Sequence, residues 1–138
     1  MRLDIKLTPE GDLVIGANGD LAFVTGDDQV AQEVLFRLKT TPGDWTLSPQ
    51  IGAGLERFIG QPNTPITRAA IEQAVDSAIS SDFLVPFPTV DCIPIDENEV
   101  LIVVEFGSVE DERRIVQITS ELDLRKGEVF SRVGYREL

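Results

Sequence analysis

The chain has 138 residues, 42% of them hydrophobic and 26% charged, with 24 acids against 12 bases and no histidine. That length and balance suit one globular domain over 1–138 and exclude a disordered chain. The missing histidine removes Ser-His-Asp and Cys-His catalysis and ordinary zinc sites, and the net charge of −12 removes a nucleic-acid surface, which needs clustered Lys and Arg.

In chain order, Leu3, Ile5 and Leu7 alternate with polar residues, and Pro9-Glu10-Gly11-Asp12 is a turn signal. Asn18-Gly19 then predicts a hairpin in which Leu21 to Val24 pairs back onto Leu13 to Ile15. Gly26-Asp27-Asp28 opens a helix, with Asp27 or Asp28 accepting the free amide hydrogens of its first turn. Val30, Val34, Leu35 and Leu38 give that helix one apolar stripe.

The stretch from Leu38 to Thr64 holds three of the eight prolines and the only tryptophan. An irregular connection of that length usually has a job. Thr64-Pro65 restarts helix, with Thr64 as N-cap and Pro65 at the first helical position. Ile66, Ala70, Ala74, Val75, Ala78 and Ile79 form the expected buried face of that second helix.

The remainder reads as strand: Thr89 to Ile95, Val100 to Phe106 and Arg114 to Leu122, with Glu128 to Tyr135 as an arm or further strand. The unbroken apolar run Val100 to Phe106 predicts a strand covered on both faces or nearly so. The fold class is therefore α+β: an N-terminal β-hairpin, two main helices and an antiparallel β-meander with the helices on one face. Cys92 lies in a strand setting that predicts a buried, inert thiol.

Charge is unevenly spread. No Lys or Arg occurs from Ala69 to Glu112, whereas Arg113, Arg114, Arg125, Lys126, Arg132 and Arg136 crowd the last segment. Such a pattern is either a solvated acidic face that aids solubility or an acidic surface and basic tail that meet complementary neighbours in an assembly. The first residues lack a signal-peptide core, and no stretch reaches the roughly 20 apolar residues of a membrane span. A soluble chain made in a cytoplasm, with no membrane partner, is the expectation.

Two candidate chemistries are weakly supported by the residues. Gly52-Ala53-Gly54 before Leu55 to Ile59 could cradle phosphate, yet no strand runs into it and no Gly-Lys-Ser/Thr follows. A glycosidase pair, Glu33 or Glu56 with Asp44, would need one acid in an apolar pocket and the second at about 5–9 Å, a separation that spacing does not show. Glu33 stands at i,i+4 from Arg37 and Glu56 beside Arg57, which are ordinary surface arrangements. No metal or cofactor fingerprint is present.

The helix ending Arg37-Leu38-Lys39-Thr40, then Thr41-Pro42-Gly43-Asp44-Trp45, Pro49-Gln50-Ile51-Gly52-Ala53-Gly54-Leu55 and Phe58-Ile59-Gly60-Gln61-Pro62-Asn63-Thr64, resembles the signature region of the phage tail baseplate wedge proteins. This is the W-like or gene-25-like family, whose members initiate the contractile tail sheath. Asp12-Leu13 and Asp20-Leu21 resemble family N-termini, and the likeness runs over Asp4 to Leu122. Some members carry Glu-Pro-Arg where this chain has Thr41-Pro42-Gly43, so the proline is kept and its charged flanks are not.

The resemblance implies a structural virion protein rather than an enzyme, assembled in the host cytoplasm and standing at about six copies around the baseplate hub. It implies as partners the tail sheath protein, other wedge proteins and hub or spike proteins. An exposed sheet edge would start the sheath polymer by main-chain pairing, with the strands Val100 to Phe106 and Arg114 to Leu122 as its expected source. Expected contact residues are Pro42, Trp45, Gly52, Gly54, Val100, Val103, Ile115, Ile118 and Arg132. A peptidoglycan-degrading tail enzyme and a generic adaptor are the other readings.

Overall fold

The computed structural model describes residues 3–6, 13–16, 19, 23–40, 52–80, 84–85 and 88–137. Its elements run β1 (Leu3–Ile5), β2 (Phe23–Thr25), α1 (Gly26–Lys39), a 3-10 turn (Leu55–Phe58), α2 (Pro65–Ser80), β3 (Thr89–Pro94), β4 (Glu99–Gly107), β5 (Arg114–Asp123) and β6 (Val129–Glu137). β3 to β6 form a four-stranded antiparallel meander in sequence order, and β1 with β2 forms a separate two-stranded pair.

Alternation decides which sheet face is covered. Val100, Ile102, Val104 and Phe106 of β4 and Val116, Ile118, Ser120 and Leu122 of β5 are buried, while their sequence neighbours are exposed or half-exposed. On that buried face α2 packs over β3, and α1 reaches β5 and β6. One core results, joining Val34, Leu35 and Leu38 of α1 and Ile71, Val75 and Ile79 of α2 to the inward strand residues. Each such side chain contributes about 1.5–3 kcal/mol through removal from water. The α+β class and the helices-on-one-face arrangement match the reading of the sequence.

Several expectations need correction or restatement. β2 pairs with β1, Val24 opposite Asp4 and Phe23 opposite Ile5, and the expected pairing of Leu21 to Val24 onto Leu13 to Ile15 lies partly outside the described residues. Among the described residues Leu13 and Ile15 each form a bridge, and the Val14 N–H donates to the Lys6 carbonyl at 3.3 Å.

The buried face of α2 is Thr67, Ile71, Ala74, Val75, Ala78 and Ile79; Ile66 is 83% exposed and Ala70 is also exposed. The run from Ile71 to Ile79 sets the helix rotation, and Ile66 and Ala70 fall off that stripe. The N-cap is as expected: Thr64 Oγ1 accepts the Thr67 N–H at 3.3 Å.

β4 is covered on one face only, because both helices lie on the same side and leave Leu101 and Val103 half-exposed on the other. Finally, β4 and β5 are interior strands; the edges of the sheet are β3 and β6.

Arg37 is likewise no surface residue. It is 3% exposed, holds Glu33 at 3.2 Å and donates from Nη1 to the Ala78 carbonyl at 3.0 Å, tying α1 to the last turn of α2. That carbonyl has no partner in its own helix, so a cation there suits the negative end of the dipole.

Candidate interaction surface

The two edges of the sheet differ in their free backbone groups. Antiparallel ladders alternate bonded and non-bonded pairs. The Asp123 N–H donates to the Glu128 carbonyl at 3.0 Å, which fixes the phase of the β5–β6 ladder. Phe130, Arg132, Gly134 and Arg136 therefore turn their backbone groups toward β5, and Val129, Ser131, Val133 and Tyr135 turn theirs outward. Among the described residues none of these outward N–H groups has a partner.

At the opposite edge the outward Cys92 N–H is taken by Glu72 Oε1 of α2 at 2.8 Å, and Pro94 has no N–H to offer. β3 is thus a blunted edge and β6 an open one.

The hairpin that presents β6 is built by local chemistry. Asp123 accepts the backbone N–H of Arg125 at 2.8 Å and of Lys126 at 3.3 Å, bonds that hold its carboxyl below the ordinary carboxylate range. Gly127 takes φ +73°, and a Cβ there would lie 2.5 Å from Ile59 Cδ1. Beside the hairpin, the Gly60 N–H donates to the Leu124 carbonyl at 2.7 Å.

Two clefts flank this strand. One of about 410 Å³ is lined by Lys39, Thr119, Glu121, Val129, Phe130, Ser131 and Arg132. Another of about 270 Å³ lies under Leu38, Leu55, Leu122 and Val129.

The uncovered sheet face continues the same surface. Register aligns Ile93, Leu101, Glu121 and Phe130 in one row across the sheet, and Asp91, Val103, Thr119 and Arg132 in the next. Phe130 is 69% exposed and Ile93 48%. Arg136 reaches across β5 to Glu105 at 2.5 Å.

The expected contact residues separate on this map. Val103, Ile115 and Arg132 share the uncovered face, whereas Val100 and Ile118 are fully buried in the core and are not available to a partner. Pro42 and Trp45 lie outside the described residues.

Gly52 and Gly54 fold the chain back onto α1. The Ala53 N–H donates to the Arg37 carbonyl at 2.9 Å and the Gly54 N–H to the Thr40 carbonyl at 3.1 Å, satisfying groups left free at the helix end. Gly52 has φ +122°, and a Cβ on it would sit 2.3 Å from the Thr40 carbonyl oxygen. Phe58 is buried in the core and carries the Arg57 guanidinium 5.1 Å above its ring.

A second polar cluster pins the start of α1. Buried Asp27 accepts the Ser108 hydroxyl at 2.5 Å and the Val109 N–H at 2.8 Å, with Arg114 at 3.5 Å. Its own N–H donates to Glu110 Oε1 at 3.1 Å, so the cap of α1 comes from the β4–β5 turn and not from Asp27 or Asp28. Asp28 instead accepts the Tyr135 hydroxyl, which together with burial pushes that phenol's pKa upward. No part of this network was legible from spacing.

Among the described residues no group of acids and cysteine could hold a metal ion, and no helix is long and apolar enough to cross a membrane. Asp44 is outside the described residues, and Glu33 is engaged with Arg37. The fold presents a contact surface made of the outward main-chain groups of β6 and the uncovered sheet face.

Residues 3–85 match the family of contractile injection system sheath initiators, and the chain belongs to that family. The match takes in both helices and the central connection and ends before β3. The resemblance read from Leu38 to Thr64 is thereby met, and the chain is a component of a contractile tail system. Among curated proteins no relative matches the chain. A crystal structure from Geobacter sulfurreducens, provisionally described as a tail lysozyme, is similar at 18% identity and TM-score 0.45, over 85% of this chain and 96% of that one.

Proposed function

We propose that this protein is a non-catalytic baseplate subunit that starts sheath polymerisation by offering the edge of β6 to an extended arm of the first sheath subunit. The observation that carries the reading is the difference between the edges: outward N–H groups of Val129, Ser131 and Val133 are unpartnered among the described residues, while on the β3 edge the Cys92 N–H is taken by Glu72 and Pro94 offers none, which leaves that of Val90. A strand added there gains main-chain hydrogen bonds without rearranging the core. This moves the polymer-starting edge from β4 and β5, where the sequence had put it, to β6.

In the assembled baseplate the subunit stands in about six copies around the hub, in keeping with closed cyclic symmetry, and touches other wedge proteins and the hub or spike. The central connection, with Pro42 and Trp45, is a contact surface for those neighbours, and the uncovered sheet face at Val103, Ile115 and Arg132 is another. The protein resides in the tail baseplate and is assembled in the host cytoplasm. Its acidic surface keeps isolated copies apart, so it is a monomer before partners arrive.

The test is to mix purified protein with its sheath subunit and follow assembly by negative-stain electron microscopy. Seeded rings or tubes are expected with the native chain and their loss with Val133→Pro, which removes one outward N–H while leaving the β5 ladder intact. Sheath assembly that is indifferent to the protein would overturn the reading.

A further inference from the structure

The chemistry beside the open edge is narrower than main-chain pairing requires. We infer that the β6 edge accepts an extended segment carrying a carboxylate opposite Arg132 and an apolar side chain two residues away, opposite Phe130; this rests on the edge-docking reading above and specifies its partner.

A strand laid against β6 places the residues opposite Phe130 and Arg132 on the uncovered sheet face, since side chains alternate with period two. Phe130 is 69% exposed there, an apolar ring at the rim of a cleft of about 410 Å³. Arg132, two residues on, lines the same cleft and has no ion pair or hydrogen bond among the described residues. Its neighbours are committed: Arg136 is held by Glu105, Arg125 by Asp123, and Arg114 by Asp27 and Glu110. Glu121 of β5 lines the same cleft, diagonal to Arg132, but no ion pair joins the two among the described residues, so in a chain of net charge −12 this exposed arginine has no bonded carboxylate. A cross-strand carboxylate is the group that completes this row.

A second copy could supply this row in one register: two β6 strands paired antiparallel about Phe130 would set Glu128 opposite Arg132 and Phe130 opposite Phe130, whereas pairing about Val133 sets Arg132 opposite Gly134 with no acid. The net charge of −12 on each copy opposes that self-pairing, which favours a different chain, acidic and apolar in alternation, as the occupant.

The experiment uses the full-length protein and fluorescent peptides as long as β6, bearing an acid and an apolar residue at i and i+2, and versions with lysine or glutamine replacing the acid. Anisotropy should show the acidic peptide binding roughly fivefold more tightly than the lysine peptide, with the margin shrinking as salt rises. Arg132→Glu, an exposed position, should reverse the preference toward the lysine peptide. Equal binding of all peptides, lost in Val133→Pro, would keep edge docking and overturn the acidic specificity. Absence of binding by every peptide, or acidic binding that survives Val133→Pro, would overturn both. Dimerisation of the free chain through β6, seen by light scattering and abolished by Val133→Pro, would overturn the assignment of a foreign partner.

Discussion

Asp27 at the start of α1 holds the backbone N–H of Val109 at 2.8 Å across 82 residues of chain, and its other oxygen holds the Ser108 hydroxyl at 2.5 Å. The contact fastens the helix layer to the β4–β5 turn at one end of the sheet, as Arg37 fastens α1 to α2 near the other. Asp27 is 2% exposed, so its charge is tolerated only because these donors and Arg114 surround it. Asp27→Ala leaves two part-buried donors unmet and is expected to cost about 1–3 kcal/mol by urea unfolding. Asp27→Asn keeps an acceptor and should cost less. A change within experimental error for Asp27→Ala would mean the turn finds other partners at no cost.

Gly52→Ala is expected to destabilise by roughly 2 kcal/mol or more, because positive φ and a carbonyl contact act together. The φ of +122° is one that side chains rarely adopt, and the added methyl would meet Thr40 oxygen at 2.3 Å. Gly60→Ala serves as the comparison: its φ is +88°, with nothing within 4 Å of an added Cβ, so only the conformational part of the penalty remains. Equal losses at the two positions would refute the close-approach argument.

The rotation of α2 separates Ile66 from Ile71. Ile71→Ala removes a fully buried side chain and should cost about 2–5 kcal/mol, whereas Ile66→Ser, at an 83% exposed position, should stay within about 0.5 kcal/mol. Thermal unfolding by circular dichroism distinguishes them. A large loss at Ile66 would restore the face read from the sequence.

These three positions show what spacing can carry. The Val30 to Leu38 stripe, the Thr64-Pro65 start and the strand runs are local patterns, and they led to the right elements. The rotation of α2 was missed because alanine and serine on both sides leave the apolar arc broad, and only packing against β3 selects Ile71 over Ile66. Asp27 was read as a helix cap because an acid at a helix start looks the same whether it caps its own turn or reaches a distant one. The edge strand was misplaced for a further reason: the most apolar strand is β4, and a central strand is apolar because it is covered, whereas the true edge, β6, alternates and carries Arg132 and Arg136. Hydrophobicity located the middle of the sheet, and the polar tail located its rim.

Cys92 supplies a prediction in pH. Burial, reinforced by the Glu72 carboxylate and opposed by Arg68, pushes its thiol from an ordinary 9.0 up to about 11. Below 9 the thiol is protonated in both folded and unfolded chains and contributes no pH dependence. Between 9 and 11 the unfolded chain has lost the proton that the folded chain keeps, so stability falls as pH rises through that window. Cys92→Ala should flatten this part of the stability profile. In the native protein a thiol reagent at pH 8 should label Cys92 far more slowly than in urea. Rapid native labelling would contradict the burial.

Hydrogen exchange tests the open edge without any partner. The ladder phase set by Asp123 and Glu128 turns the amides of Phe130, Arg132 and Gly134 into the β5 ladder and those of Val129, Ser131 and Val133 outward. The inward amides should exchange slowly and the outward ones quickly, giving a period of two along a single strand. On β3 the outward Cys92 amide should be protected by its 2.8 Å bond to Glu72, and Glu72→Gln should weaken that protection. Addition of an edge-binding acidic peptide should then slow Ser131 and Val133 while leaving Phe130 and Arg132 unchanged. Uniform protection along β6 in the free protein would mean that its outer edge is already paired.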